Sequence, residues 1–416
     1  MARPKVQHSV EKRFLKYITF DTQSSEESTR FPSTAKQKKL GKALTRELKS
    51  MGLANAELDK NGYVLATLEA NTEDAIPIIG LIAHMDTSPD VSGANVKAVI
   101  HQNYQGGPLV LPGDPHQVLL PGENPALSEQ IGHDIITSDG TTLLGADNKA
   151  GIAEIFEAVQ YFVDHPEIKH GRIQIAITPD EEIGMGTKYF DIKKFGAAYA
   201  YTIDGETAGE IEDETFCADS LSVTFAGVNV HPGYAKGRLV NAIKIAADFI
   251  EQLPKNALSP ETTEKREGYV HPHLFQGTVE SVTLKFLVRD FTIEGLKEKE
   301  DYLQRLAREV VAKYPKATVE VSIDEFYRNM KYMIDKDPKV VDYAVEAIRR
   351  AGMNPIRGSI RGGTDGARLS FDGLLTPNIF TGGHNFHSKH EWISIQDMRH
   401  AVDVIIQLIQ VWAEKK

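Results

Sequence analysis

Ile76-Pro77-Ile78-Ile79-Gly80-Leu81-Ile82-Ala83 runs without a charge straight into His84-Met85-Asp86. An almost continuous apolar run of strand length marks a strand buried on both faces, as in the middle of a parallel sheet. This one stops on a histidine two residues before an aspartate, and the same punctuation recurs along the chain. Residues 172–178 read as a strand that ends at Pro179 and leads into Asp180-Glu181-Glu182. Residues 197–203 read as a strand closed by Asp204, and residues 375–381 as one followed by Gly382-Gly383-His384-Asn385-Phe386-His387. Asp147 stands just before a helix predicted over residues 148–164, where Ile152, Ile155, Phe156, Val159 and Phe162 recur at helical spacing. Strands alternating with helices imply an α/β fold with a mainly parallel sheet covered on both faces. In such sheets, ligands bind outside the carboxyl ends of the strands.

Around this frame, residues 5–17 and 34–51 read as amphipathic helices, the second stopped by Gly52, and residues 63–68 as a strand. Residues 89–143 are rich in Gly, Pro and Asn and read as an excursion of short strands and loops near a site. Between about residues 215 and 327 the texture changes. Strand 220–226, helix 239–252, strands near 275–279 and 282–290, helix 293–313 and strand 317–323 spell βαββαβ, a ferredoxin-like α+β order. At on the order of 110 residues this is enough for a domain. The chain is therefore expected to form one domain from residues 1–214 and 328–416, the latter resuming with a helix over 340–351, and an inserted one from 215–327.

Of the 416 residues, 41% are hydrophobic and 25% charged, with 47 basic against 58 acidic side chains and a net charge of −11. The basic residues are dispersed, so nucleic acid is not an expected partner. No signal-like segment and no apolar run of about 18 residues is present, which points to a cytoplasmic protein without membrane spans. Cys217 is the only cysteine. A disulfide framework and thiolate-built zinc sites are thereby excluded, and any metal must be held by histidine and carboxylate.

Taken singly, the polar positions are weak signals. A His-x-Asp more often reflects a structural histidine beside a polar loop, paired glutamates usually belong to a solvated helix face, and an aspartate after a strand is an ordinary turn residue. Their joint placement at four strand ends and one helix N-terminus changes the reading. It would gather two histidines and at least three carboxylates, and so much negative charge in a partly buried site is costly unless cations neutralise it. Two divalent ions sharing a carboxylate fit that demand, and a neutral-His and carboxylate donor set suits zinc, cobalt or manganese. Arg289 in Val288-Arg289-Asp290 and Arg361 in a Gly-rich loop are candidates to pair with a ligand's carboxylate. The alternative for Arg289 is a structural pair with a neighbouring acid.

The segments His84-Met85-Asp86-Thr87-Ser88, Leu144-Gly145-Ala146-Asp147-Asn148-Lys149-Ala150-Gly151, Thr178-Pro179-Asp180-Glu181-Glu182-Ile183-Gly184 and His387-Ser388-Lys389-His390-Glu391 resemble motifs of the dinuclear zinc hydrolases. That group includes carboxypeptidase G, the aminoacylases and succinyl-diaminopimelate desuccinylase. Val230-His231-Pro232-Gly233 and the run from Ile360 to Arg368 favour its tripeptide aminopeptidase branch, the peptidase T family, and the likeness covers essentially the whole chain.

The resemblance implies that His84 and Asp204 hold one ion, Glu182 and His387 the other, and that Asp147 bridges them. It makes Asp86 the residue that orients His84. It also makes Glu181 the general base for attack of a metal-bridging hydroxide on the peptide bond. His231 would contribute to substrate binding from the inserted domain, which would act as a lid and hold a homodimer together. Short peptides would be the substrate. Two departures stand out. Where the family pattern has glycines after the aspartate matched by Asp204, Gly205 leads into Glu206-Thr207, and His384 and Phe386 stand where tyrosines are commoner. Alternatives are a related amidohydrolase acting on dipeptides, C-terminal residues or N-acyl amino acids, and a metal-binding protein without activity. The presence of Asp86 and Glu181, which bind no metal in this scheme, argues against the last.

Overall fold

The structure is a computed structural model and describes residues 8–415. Its chain forms two compact units, one from residues up to Asp213 with Met330–Gly358 and Thr364–Lys416, the other from Glu214–Asn329 with Ser359–Gly363. No helix among the described residues is long and apolar enough to cross a membrane.

The first unit is built on an eight-stranded sheet. Its order is Glu57–Leu58, Val64–Leu68, Ile173–Thr178, Ile79–His84, Tyr199–Gly205, Asn378–Phe380, Glu210–Thr215 and Ile356–Ile360. The middle four strands are parallel, whereas Val64–Leu68 and Glu210–Thr215 pair antiparallel at the flanks. The sheet is thus mixed, and the mainly parallel expectation holds for its centre. Every residue of Ile79–His84 is buried, which is why that strand shows no polar alternation.

Helix Ala146–Asp164 packs across Ile79–His84 and Tyr199–Gly205, flanked by helices Val10–Tyr17 and Ile395–Glu414. Residues 5–7 of the first predicted helix lie outside the described residues. Asp147 and Asn148 have non-helical backbone, so regular helix begins after them and Asp147 is presented from an extended turn. The helix approaches the sheet so closely at Gly151 that a Cβ there would collide with the Ile203 carbonyl oxygen. The other face of the sheet is covered by Phe195, Leu369 and Leu374, packed on Ile82, Ala176 and Ala200.

The excursion after residue 89 does carry short strands. Val99–His101 and Ile135–Thr137 join Trp392–Ser394 and Gly383–His384 in a four-stranded sheet over a core that includes Tyr104, Leu111, Leu127 and Trp392. The excursion therefore buttresses the C-terminal loop that contains His387.

In the second unit the elements are Cys217–Ala226, Ala242–Glu251, Tyr269–Gly277, Ser281–Asp290, Ile293–Val311 and Thr318–Tyr327, in βαββαβ order. Its antiparallel sheet runs Tyr269–Gly277, Ser281–Asp290, Cys217–Ala226, Thr318–Tyr327, the strand order of a ferredoxin-like sheet. Leu221, Val223 and Phe225 face a core with Ile245, Phe249, Leu303 and Val310, while Ser220, Ser222 and Thr224 alternate to the other side.

Candidate metal centre

Parallel pairing puts His84 level with Thr178, so the turn carrying Glu181 and Glu182 starts beside it. Asp204 ends the neighbouring parallel strand. His387 comes from the turn after the next strand and has a left-handed backbone, φ 58°, as does Asp180 at φ 57°. Non-glycine residues held in that region are a recurrent feature of binding sites.

The side chains converge on Asp147. Its Oδ1 lies 2.8 Å from His84 Nε2 and its Oδ2 lies 3.2 Å from His387 Nε2. Asp204 Oδ1 is 3.4 Å from His84 Nε2, and Glu182 Oε2 is 2.7 Å from His387 Nε2. Two triads result, His84-Asp147-Asp204 and Asp147-Glu182-His387, each with donor atoms within 4.8 Å of one another. One carboxylate faces two histidine-carboxylate pairs with a different oxygen each. Glu181 belongs to neither triad, and its Oε2 stands 3.9 Å from His84 Nε2.

Electrostatics show how strained this concentration of charge is. Burial, with Asp365, Asp204 and Glu182 nearby, pushes the Glu181 carboxyl well above the usual range. Burial and Asp147 raise Glu182 to about 8, and burial raises Asp204 to about 6. Burial alone would lower the two histidines. Asp204 and Asp147 nevertheless hold His84 well above its ordinary value, and Asp147 and Glu182 take His387 to about 11. Asp147 itself, although burial opposes it, is held low by the two imidazoles. The cluster stabilises positive charge at its centre, which protons supply poorly and divalent cations supply well. Glu182 Oε1 is buried without a hydrogen-bond partner, an acceptor that a bound cation would satisfy. The residues present therefore fit two divalent ions.

Behind the donors stands a supporting set of side chains. Asp86 Oδ1 and Oδ2 accept hydrogen bonds from the backbone N–H groups of Glu181 and Glu182, at 3.0 and 3.2 Å. His84 Nδ1 is 3.1 Å from the Asp86 carbonyl oxygen and 3.4 Å from its carboxylate. Asp86 therefore ties the turn of Glu181 and Glu182 to the strand of His84, besides facing the histidine. Glu391, to which the sequence reading gave no role, accepts from the N–H groups of Leu144, Gly145 and Asp147 at 2.7, 2.8 and 3.0 Å. Asp180 accepts from Ser33 and Gln37, and Asp365 from the Thr178 hydroxyl.

The residues expected to bind substrate lie in the second unit. His231 is exposed and its Nδ1 accepts from Gly233 N–H. Arg289 is buried, donates to the carbonyls of Asp219 and Val288 and lies over the Tyr327 ring, so the acid partner weighed for it is replaced by backbone. Arg361 donates through its terminal nitrogens to the carbonyls of Lys265 and Glu267 and to the Thr263 hydroxyl, which ties it to a loop of its own unit.

A strand-end cluster of this kind on a mixed α/β sheet defines a metal-dependent hydrolase. Residues 138–411 match the peptidase family M20/M25/M40. The chain is 48% identical over 410 residues to peptidase T of Geobacillus sp. (strain WCH70), covering 99% of this chain and all of that one. It superposes on the crystal structure of aminopeptidase PepT from Bacillus cereus ATCC 10987 with a TM-score of 0.74 at 23% identity, over 97% and 98% of the two chains. For a tripeptidase from Staphylococcus aureus the TM-score is 0.75 at 22% identity, over 98% of each. The chain belongs to peptidase family M20/M25/M40, in its peptidase T branch.

Proposed function

We propose that this chain is a metal-dependent aminopeptidase that releases the N-terminal residue of tripeptides, with two divalent ions, zinc by choice of donors, held by His84, Asp147, Glu182, Asp204 and His387. The observation that carries the reading is Asp147, whose two oxygens face separate histidine-carboxylate pairs while Glu181 stays outside both. The tripeptide preference rests on the peptidase T relatives. Bound by these residues, such ions would lower the pKa of a coordinated water and polarise the scissile carbonyl.

The protein's own residues do the rest. Glu181 is buried beside His84 and has a raised proton affinity. That suits it to take the proton of the attacking water on Oε2 and pass it to the leaving amine, a step worth roughly 10²–10⁴ in rate. Asp86 holds that carboxylate's backbone in register. His231, Arg289 and Arg361 remain the substrate-side candidates from the second unit. Assembly as a homodimer through that unit extends the reading, supported by its edge strand Thr318–Tyr327, which exposes Ile323 and Phe326.

The deciding experiment is metal analysis of the purified protein together with hydrolysis of di-, tri- and tetrapeptides and of N-acyl amino acids. Two ions per chain and selective cleavage of free tripeptides are expected. Cleavage of N-acyl amino acids in preference to tripeptides would overturn the reading in favour of a related amidohydrolase.

A further inference from the structure

Beside His387 the first unit contains a cavity of about 530 Å³, lined among others by Glu123, Glu206, His384, Asn385 and Phe386. Its size lies within the range of small-ligand sites. None of its lining residues is lysine or arginine. Glu206 follows Asp204 by two positions at the same strand end, and its backbone is fixed: the Glu206 carbonyl accepts from Gly382 N–H at 2.8 Å, as the Gly205 carbonyl does from Thr381. Its carboxylate is about half-exposed into the cavity, and the nearest ionisable partner is His384 Nδ1 at 3.9 Å. That imidazole is stacked on Trp392 with ring centroids 4.4 Å apart. Burial keeps that imidazole neutral, so no basic side chain in the cavity's lining pairs with the carboxylate. A rigidly based, partly desolvated carboxylate beside the metal cluster is complementary to a cation on the substrate.

We propose that Glu206 is a specificity-determining residue that holds the cationic group of the substrate residue to be released. The proposal rests on the aminopeptidase reading and assigns a place to the free amine that such substrates carry. The ammonium has two sources, the α-amino group common to all free peptides and the side chain of an N-terminal lysine. Trialanine and Lys-Ala-Ala separate them.

The test compares the metal-loaded protein with its Glu206→Gln and Glu206→Asp variants, each checked for two bound ions. Loss of a charge-assisted contact predicts a KM about tenfold or more higher in Glu206→Gln with kcat nearly unchanged, and a smaller rise in Glu206→Asp. A rise on both peptides assigns the α-ammonium, and a rise on Lys-Ala-Ala alone assigns the side chain. Unchanged KM on both peptides overturns the proposal, as does a fall in kcat or in metal content without a KM effect. So do Gln and Asp variants that behave alike. Failure of the unaltered protein to cleave either peptide would instead remove the aminopeptidase reading itself, and this proposal with it.

Discussion

At the scale of single residues, the division of labour among carboxylates follows from what each one touches. Glu182 reaches His387 and has an orphaned oxygen, whereas its neighbour Glu181 touches no donor of the second triad. Glu181→Ala should therefore keep both ions and lose turnover by roughly 10²–10⁴, read from metal content and single-turnover rates side by side. His387→Ala should bind one ion instead of two by titration. Glu391 is a different case, because it touches no candidate donor's side chain and instead shapes the turn that presents Asp147. Glu391→Ala should weaken metal affinity by about 10–100-fold, as loss of outer-shell partners does. The donors were legible because each follows a recognisable strand or precedes a helix. Glu391 was not, since its partners are about 245 residues away in sequence and an acid in a polar loop carries no local sign of its use. The loop contacts of Arg361 were hidden for the same reason: a Gly-rich setting suggests a ligand loop, and only the fold shows its terminal nitrogens donating to residues 263–267.

Among the elements, the helix Ala146–Asp164 shows how one segment serves both packing and chemistry. Its start presents Asp147, and its body buries Phe156, whose ring meets Tyr17 edge-on at 6.2 Å. Phe156→Ala should cost about 3–5 kcal/mol in denaturant unfolding, as truncations of core aromatics do. The helix also buries Glu154 with neither carboxylate oxygen hydrogen-bonded, and burial, then Asp397, raises its pKa well above the ordinary value. The folded state thus holds the neutral acid, whereas the unfolded chain ionises near its usual value of about 4.3. Glu154's contribution to stability is therefore complete below that value and is lost as pH rises toward the folded pKa. Glu154→Gln should remove this dependence, so its melting temperature should gain on the unaltered protein as pH rises above the unfolded value of about 4.3; a constant gap would contradict the assignment. The helix itself was legible from apolar spacing, but Asp147 and Asn148 at its start are not helical, and periodicity does not register how a buried acid is accommodated.

For the whole molecule, all five candidate metal ligands lie in the first unit. Chelation should therefore lower the melting temperature of that unit while leaving the second unit's transition in place, a split that calorimetry resolves. Ions present at about a thousand times their dissociation constant would account for about 4 kcal/mol. The central strands and the strand over residues 64–68 could be read from pattern alone, whereas the edge strand Glu57–Leu58 could not, because two residues leave little periodicity. One feature of connectivity reaches beyond equilibrium. Asp204 precedes the second unit, and His387 follows it. At a synthesis rate of about 5–20 residues per second, the last ligand emerges on the order of ten seconds or more after the fourth. A ribosome-bound chain thus carries an incomplete cluster until the whole second unit has been made and His387 has followed it.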